Sequence, residues 1–146
     1  MSNEALRNRQ AMRRTGWLLS GIVIAFMVAD ACTTLLAIEP VKKATLETGY
    51  PLDQMWLIGA LQLICLVLYA IPATCVFGAI ILTGFLGGAI TSHLRVAGTL
   101  TPEMIVSLLL GVLAWGGLWF RDPRLRVLIP RRASLDASLN PDTAEF

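Results

Sequence analysis

Few side chains in this sequence are suited to chemistry, and the most informative of them is Asp30. It stands alone in an otherwise apolar run from Thr15 to Ile38. An ionisable group inside a membrane-spanning helix is costly, so by default it marks a functional site or a specific partner. Counting inward along the helices argued below places Asp30, Gln62 and Thr83 at a common depth of roughly 12 Å, with Ser107 slightly shallower. Each of four helices would then lend one polar group to a single layer. That layer is either a shallow pocket for a headgroup, a quinone or a proton, or a set of interhelical hydrogen bonds that glue a bundle together. Depth alone does not say which of the four groups face one another. His93 and Arg95 stand above the layer, at the mouth of the third span. They are either a solvated helix end or a clamp for an anionic head.

Other chemistries find no residues to carry them. His93 is the single histidine, so this chain cannot hold a haem through two histidines of its own. No His, Cys, Asp and Glu set has metal-ligand spacing, no glycine-rich phosphate loop follows a strand, and no Ser-His-Asp arrangement is evident. The three cysteines, Cys32, Cys65 and Cys75, contain no Cys-x-x-Cys. Cys65 and Cys75 flank Pro72 at unequal depths, about 10 Å and 4 Å along their helices, which strains against disulfide geometry. They read as small apolar fillers. No catalytic residue and no metal ligand is singled out, and a self-sufficient enzyme is disfavoured.

The elements that must position these groups follow from composition. Of the 146 residues 55% are hydrophobic and only 15% charged, with a mean hydropathy of +0.67, far from an ordinary soluble domain. The net charge of +2 is too small to suggest a nucleic-acid partner. From Gln54 to Ser92 there are 39 consecutive residues without Asp, Glu, Lys, Arg or His. As one helix they would reach about 58 Å, roughly twice the hydrocarbon thickness of a bilayer, so they must fold back. Pro72 supplies the break, and Pro102 suits the start of a further helix. The expected architecture is all-α: a bundle of four transmembrane helices over residues 15–38, 54–71, 73–92 and 102–120.

The arginines orient it. Residues 1–14 form a basic flank with four arginines, and Arg121, Arg124, Arg126, Arg131 and Arg132 form another, while the opposite side holds Lys42, Lys43 and Arg95. The positive-inside rule then places both termini in the cytoplasm. Residues 121–132 should lie on the membrane surface and residues 133–146 should be disordered. Residues 39–53 have room for a short helix or reentrant turn closing at Gly49-Tyr50-Pro51. The start of the chain imitates a cleavable signal peptide, but Asp30 fits poorly before a cleavage point and the apolar run resumes through Leu35 and Leu36. Small residues suggest where helices touch: Gly84 and Gly88, with Gly87 beside them, and Gly21, Ala25 and Ala29 at intervals of four on the first span. Internal packing is the expected use. Homo-oligomerisation through Gly84 and Gly88 is the sharper alternative.

The order of motifs resembles the DoxX-like family of small integral membrane proteins. The resemblance rests on Gly49-Tyr50-Pro51, on Ile58-Gly59-Ala60-Leu61-Gln62-Leu63-Ile64-Cys65, and on Leu68-Tyr69-Ala70-Ile71-Pro72-Ala73-Thr74. It continues through residues 78–90, His93-Leu94-Arg95-Val96 and Trp115-Gly116-Gly117-Leu118-Trp119-Phe120-Arg121. It implies a four-helix protein of the bacterial cytoplasmic membrane. Members of the wider group are associated with quinone-linked redox complexes or act as assembly factors. Asp30 falls where relatives often carry an acid. The chain departs at Thr34, where a lysine is expected, and at Gln62, where a glutamate is expected. The leading expectation is a non-catalytic accessory or membrane subunit, docked in the bilayer to another membrane or redox protein. The alternatives are an oxidoreductase subunit binding a quinone or lipid, with quinone the one cofactor considered, and a small proton-coupled carrier.

Overall fold

The computed structural model describes residues 3–122 and Leu125, and every regular element within them is helical. Apart from Arg121, Asp122 and Leu125, the expected surface segment 121–132 and the tail 133–146 lie outside the described residues. Helix α1 spans Asn3–Leu35, α2 Glu39–Glu47, α3 Met55–Ala70, α4 Cys75–Ala97 and α5 Pro102–Arg121, with a 3-10 turn at Leu52–Gln54. All but α2 are long and apolar enough to cross a membrane. The reason is general: hydrocarbon offers no hydrogen bonds, so a spanning backbone must satisfy its own amides as helix.

The helix ends differ from the sequence expectations in instructive ways. The basic flank is not separate from the first span, because α1 is already helical at Asn3. The same helix stops at Leu35 rather than Ile38, where Ala37 takes a positive φ of 48° and turns the chain into α2. Residues 39–53 contain the short helix α2, then Gly49 at φ 80°, then the 3-10 turn. Pro72 lies in the turn before α4 rather than in its first helical turn. The Thr74 hydroxyl donates to the Leu68 carbonyl at 2.8 Å across that turn. Helix α4 runs on to Ala97, five residues past the expected end, and stops at Gly98 in the left-handed conformation. The added turns carry His93 and Arg95.

The four long helices form a ring in which α1 packs on α3 and α5, and α4 packs on the same two. Val23, Met27, Tyr69, Leu82 and Leu118 are among the buried residues at its centre. The Tyr69 hydroxyl donates to the Ala114 carbonyl at 2.9 Å, so its 3.0 Å contact with Ser20 must use the Ser20 proton. One phenol thus ties α3 to both α5 and α1. At the same end, Arg121 is buried, with its guanidinium 4.8 Å from the Trp17 ring centroid and 5.0 Å from that of Tyr69. Its Nη2 donates to the Tyr69 carbonyl at 2.7 Å.

The close helix contacts are not at the glycines expected to make them. A Cβ added at Gly21, Gly84, Gly87 or Gly88 would meet no atom within 4 Å, and Ala25 and Ala29 are exposed. Spacing of four puts small residues on one face, but it does not say that a helix covers that face. The backbone approaches occur elsewhere. At Gly117 an added Cβ would sit 2.7 Å from the Ser20 hydroxyl, and at Gly16 it would sit 2.5 Å from the Arg121 amide nitrogen, so α1 and α5 meet through small residues. At Gly78 it would overlap the backbone of Tyr69, where α3 and α4 leave their shared turn.

Candidate functional site

Asp30 and Gln62, equal in depth, are brought together. Gln62 is buried, and its amide nitrogen donates to Asp30 Oδ2 at 2.8 Å and to the Met27 carbonyl at 3.2 Å. Asp30 itself stays exposed. The other two members of the expected layer bond elsewhere. The Thr83 hydroxyl donates to Ala79 on its own helix and accepts the Trp115 indole N–H at 2.9 Å. Ser107 turns back to the Glu103 carbonyl one turn earlier. Equal depth leaves the direction around the helix axis undetermined, and that direction separates these two from the Asp30–Gln62 pair.

Gln62→Leu removes the donor facing Asp30, and we expect a loss of about 1–2 kcal/mol, the cost of stranding one charged acceptor at a partly exposed site. Chemical unfolding of the purified chain in detergent measures this. A midpoint equal to the parent's would show that the pair contributes nothing to the bundle.

A large cavity lies apart from this pair, at the end of the bundle opposite the start of α1 and the end of α5. It holds about 720 Å³ between α2, α3 and α4, with Thr34 of α1 contributing to its wall. Along α3 it runs from Gln54 to Cys65, and along α4 from Ile81 to His93. At 1.5 Å per residue that makes a slot roughly 16–18 Å long. Gly84 and Gly88 line it, so the glycine pair marks a gap between helices rather than a contact. The slot is open along its length, since Leu57, Leu61, Gly84 and Gly88 on its two long walls are exposed.

Helix α2 covers the upper part of the slot through Val41, Ala44, Thr45 and Thr48. Two hydrogen bonds attach this cover to α4. Ser92 donates to the Gly88 carbonyl at 2.9 Å, which leaves Tyr50 as the donor in the 3.0 Å Tyr50–Ser92 contact. Arg95 Nη2 donates to the Thr48 carbonyl at 2.9 Å. His93 therefore lines the cavity, whereas the Arg95 guanidinium serves to hold the loop. Thr34 is buried in the cavity wall, and Gln62 turns to Asp30 instead of to Thr34.

All three cysteines are free thiols, with Cys32 exposed and Cys65 and Cys75 buried. Among the described residues no three His, Cys, Asp or Glu gather closely enough to hold a metal ion. Sequence reasoning passed over Tyr50, Thr48 and Ser92 as site residues. Tyr50 stands in the sequence only as part of the Gly49-Tyr50-Pro51 turn and Ser92 only as the end of the third span.

With four spanning helices, a polar pair between α1 and α3, and a slot between α3 and α4 in place, the family comparison becomes specific. A model of the DoxX-like family matches residues 18–117, which takes in nearly all of the ring. The chain belongs to the DoxX-like family. No curated protein and no solved structure matches it. For this DoxX-like protein, membership and fold together define an integral, multi-pass membrane protein. The match also covers every residue that lines the slot, with Thr48 and Arg95 that hold its cover, so the cavity belongs to the family domain rather than to an appended segment.

Proposed function

We propose that this DoxX-like protein is a binding subunit that holds a membrane-dissolved ligand, of quinone or lipid type, in the slot between α3 and α4. The cavity carries this reading. Its volume of about 720 Å³ falls within the range of small-molecule sites, roughly 300–1,000 Å³, and its walls are apolar with a few convergent polar groups, as such sites are. The reading is one of binding rather than turnover, because Tyr50 and Ser92 are engaged in holding the loop, Thr45 and Thr48 donate to carbonyls of their own segment, and no nucleophile is paired with a base among the lining residues. The excess of arginines near the termini supports an orientation with both termini in the bacterial cytoplasm and the slot in the opposite leaflet.

A second reading, an accessory subunit docked to another membrane protein, draws on Asp30. An exposed carboxylate within a span satisfies only part of its hydrogen-bonding capacity through Gln62, and a partner's polar side chain would complete it.

One preparation separates the two. The full chain is purified from its native membrane in mild detergent and its organic extract is compared by mass spectrometry with the bulk membrane lipid. A single species enriched near one per chain supports the binding reading, and an extract with the bulk composition refutes it. A stoichiometric protein partner that stays with the parent and is lost from Asp30→Asn supports the accessory reading.

A further inference from the structure

The side chains around the slot also restrict the charge of what enters it. Among the described residues no carboxylate, ammonium or guanidinium group lines the cavity; the polar side chains there are hydroxyls (Thr34, Thr48, Tyr50 and Ser92 among them), the Gln54 amide and the His93 imidazole. The cations close by are engaged. Lys42 pairs with Glu39 at 2.7 Å, Lys43 stands 4.0 Å from Glu47, and Arg95 is bound to the Thr48 carbonyl. The covering helix thus brings two acids and two bases that answer one another, and it offers no counter-charge to a guest. An ion drawn out of water or the headgroup region into such a site would leave its solvation without replacement, whereas a neutral hydroxyl can donate to the Tyr50 or Ser92 oxygen and a carbonyl can accept from the His93 or Gln54 N–H.

The opposite feature, missing bulk, shapes the rest of the guest. Gly84 and Gly88 present bare backbone to the slot, and a Cβ on either meets nothing within 4 Å. A flat or chain-like apolar body can lie there against α4. Since the long walls are open, such a body can arrive sideways from the bilayer.

We propose that the slot selects an uncharged amphiphile, with a hydroxyl, carbonyl or ester head among Tyr50, Ser92 and His93 and its apolar body along Gly84 and Gly88. This rests on the cavity being a ligand site at all, and it adds the charge rule and the placement.

Three probes with one chain and different heads test it: radiolabelled hexadecanol, hexadecyl sulfate and hexadecyltrimethylammonium, each at trace amount in the detergent micelles. They are bound to the full chain in dodecyl maltoside, as the parent and as Gly84→Leu and Gly88→Leu. The expected result is that hexadecanol binds at least about tenfold more tightly than either ion, because each ion must be desolvated without a partner. It should also lose about tenfold or more in both leucine variants, whose side chains fill the slot. The leucine variants should unfold near the parent's temperature, because the Cβ of either meets no atom within 4 Å and the rest of the side chain enters the empty slot. Equal binding of the three probes overturns the charge rule while leaving a ligand site in place. A hexadecanol preference that survives both leucine variants overturns the placement along α4. Absence of binding by all three to the parent overturns the ligand site itself, and the charge rule with it.

Discussion

Arg121→Ala is expected to lower the stability of the purified bundle by about 3 kcal/mol, combining a lost charge-assisted hydrogen bond and two lost cation–π contacts. The residue is only 8% exposed and joins its own helix to two others. It is the last residue of α5, its guanidinium lies by Trp17 of α1 and Tyr69 of α3, and its Nη2 caps the Tyr69 carbonyl near the end of α3. The sum is not larger because Nη1 is buried without a hydrogen bond, so the substitution also relieves one unsatisfied donor. Arg121→Lys should recover little of the loss, since a compact ammonium cannot lie flat against two rings while donating to a carbonyl. Thermal unfolding of the three proteins in one detergent decides the matter. An alanine variant with the parent's midpoint, or a lysine variant that restores it fully, would show that this residue acts only as a surface charge.

Gly78→Ala is expected to be as damaging, although it adds a single methyl group. The new Cβ would overlap the backbone nitrogen and Cα of Tyr69, atoms that no rotamer change can move aside. Helices α3 and α4 must separate at their shared turn, and Tyr69 must shift with its bonds to Ser20 and Ala114. Overpacking of this kind costs about 1–3 kcal/mol and more where backbone yields. Gly84→Ala is the control. It lies on the same helix and meets nothing within 4 Å, so it should unfold with the parent. If the two alanine variants unfold together, the close approach at Gly78 does not constrain the bundle.

These two sites show what the sequence could and could not convey. The spans were legible because lipid demands continuous apolar helices, and the 39 uncharged residues needed a fold-back whose place Pro72 marked. Asp30 and Gln62 were legible as a pair in depth, since helical rise converts residue number into height. Thr83 and Ser107 shared that height but point to other partners, and one sequence does not reveal the rotation of each helix against its neighbours. The glycines mislead for a related reason. Gly84 and Gly88 have the same spacing whether a helix or an empty slot lies beside them. Gly16 and Ser20, which do face Gly117 across a close approach, carry the same four-residue spacing and nothing that distinguishes them in advance. Arg121 was hidden by its setting. Among five arginines after the last span it looks like one more topological charge, and its burial beside two aromatic rings is not written in the sequence.

The turn between α3 and α4 has a consequence for how the protein is made. It is short, carries no charge, and folds back at once with Gly78 against Tyr69 and Thr74 tied to Leu68. A connection without basic residues exerts no pull toward either side of a membrane during insertion. The α3–α4 turn is therefore a passenger in that choice, carrying no charge of its own to hold it on the side where the chain is made. The decision about which way the protein faces is left to the arginines that bracket the ring at its first and last helices. Moving those charges, Arg121 excepted, to the α2 loop is expected to turn the same bundle upside down.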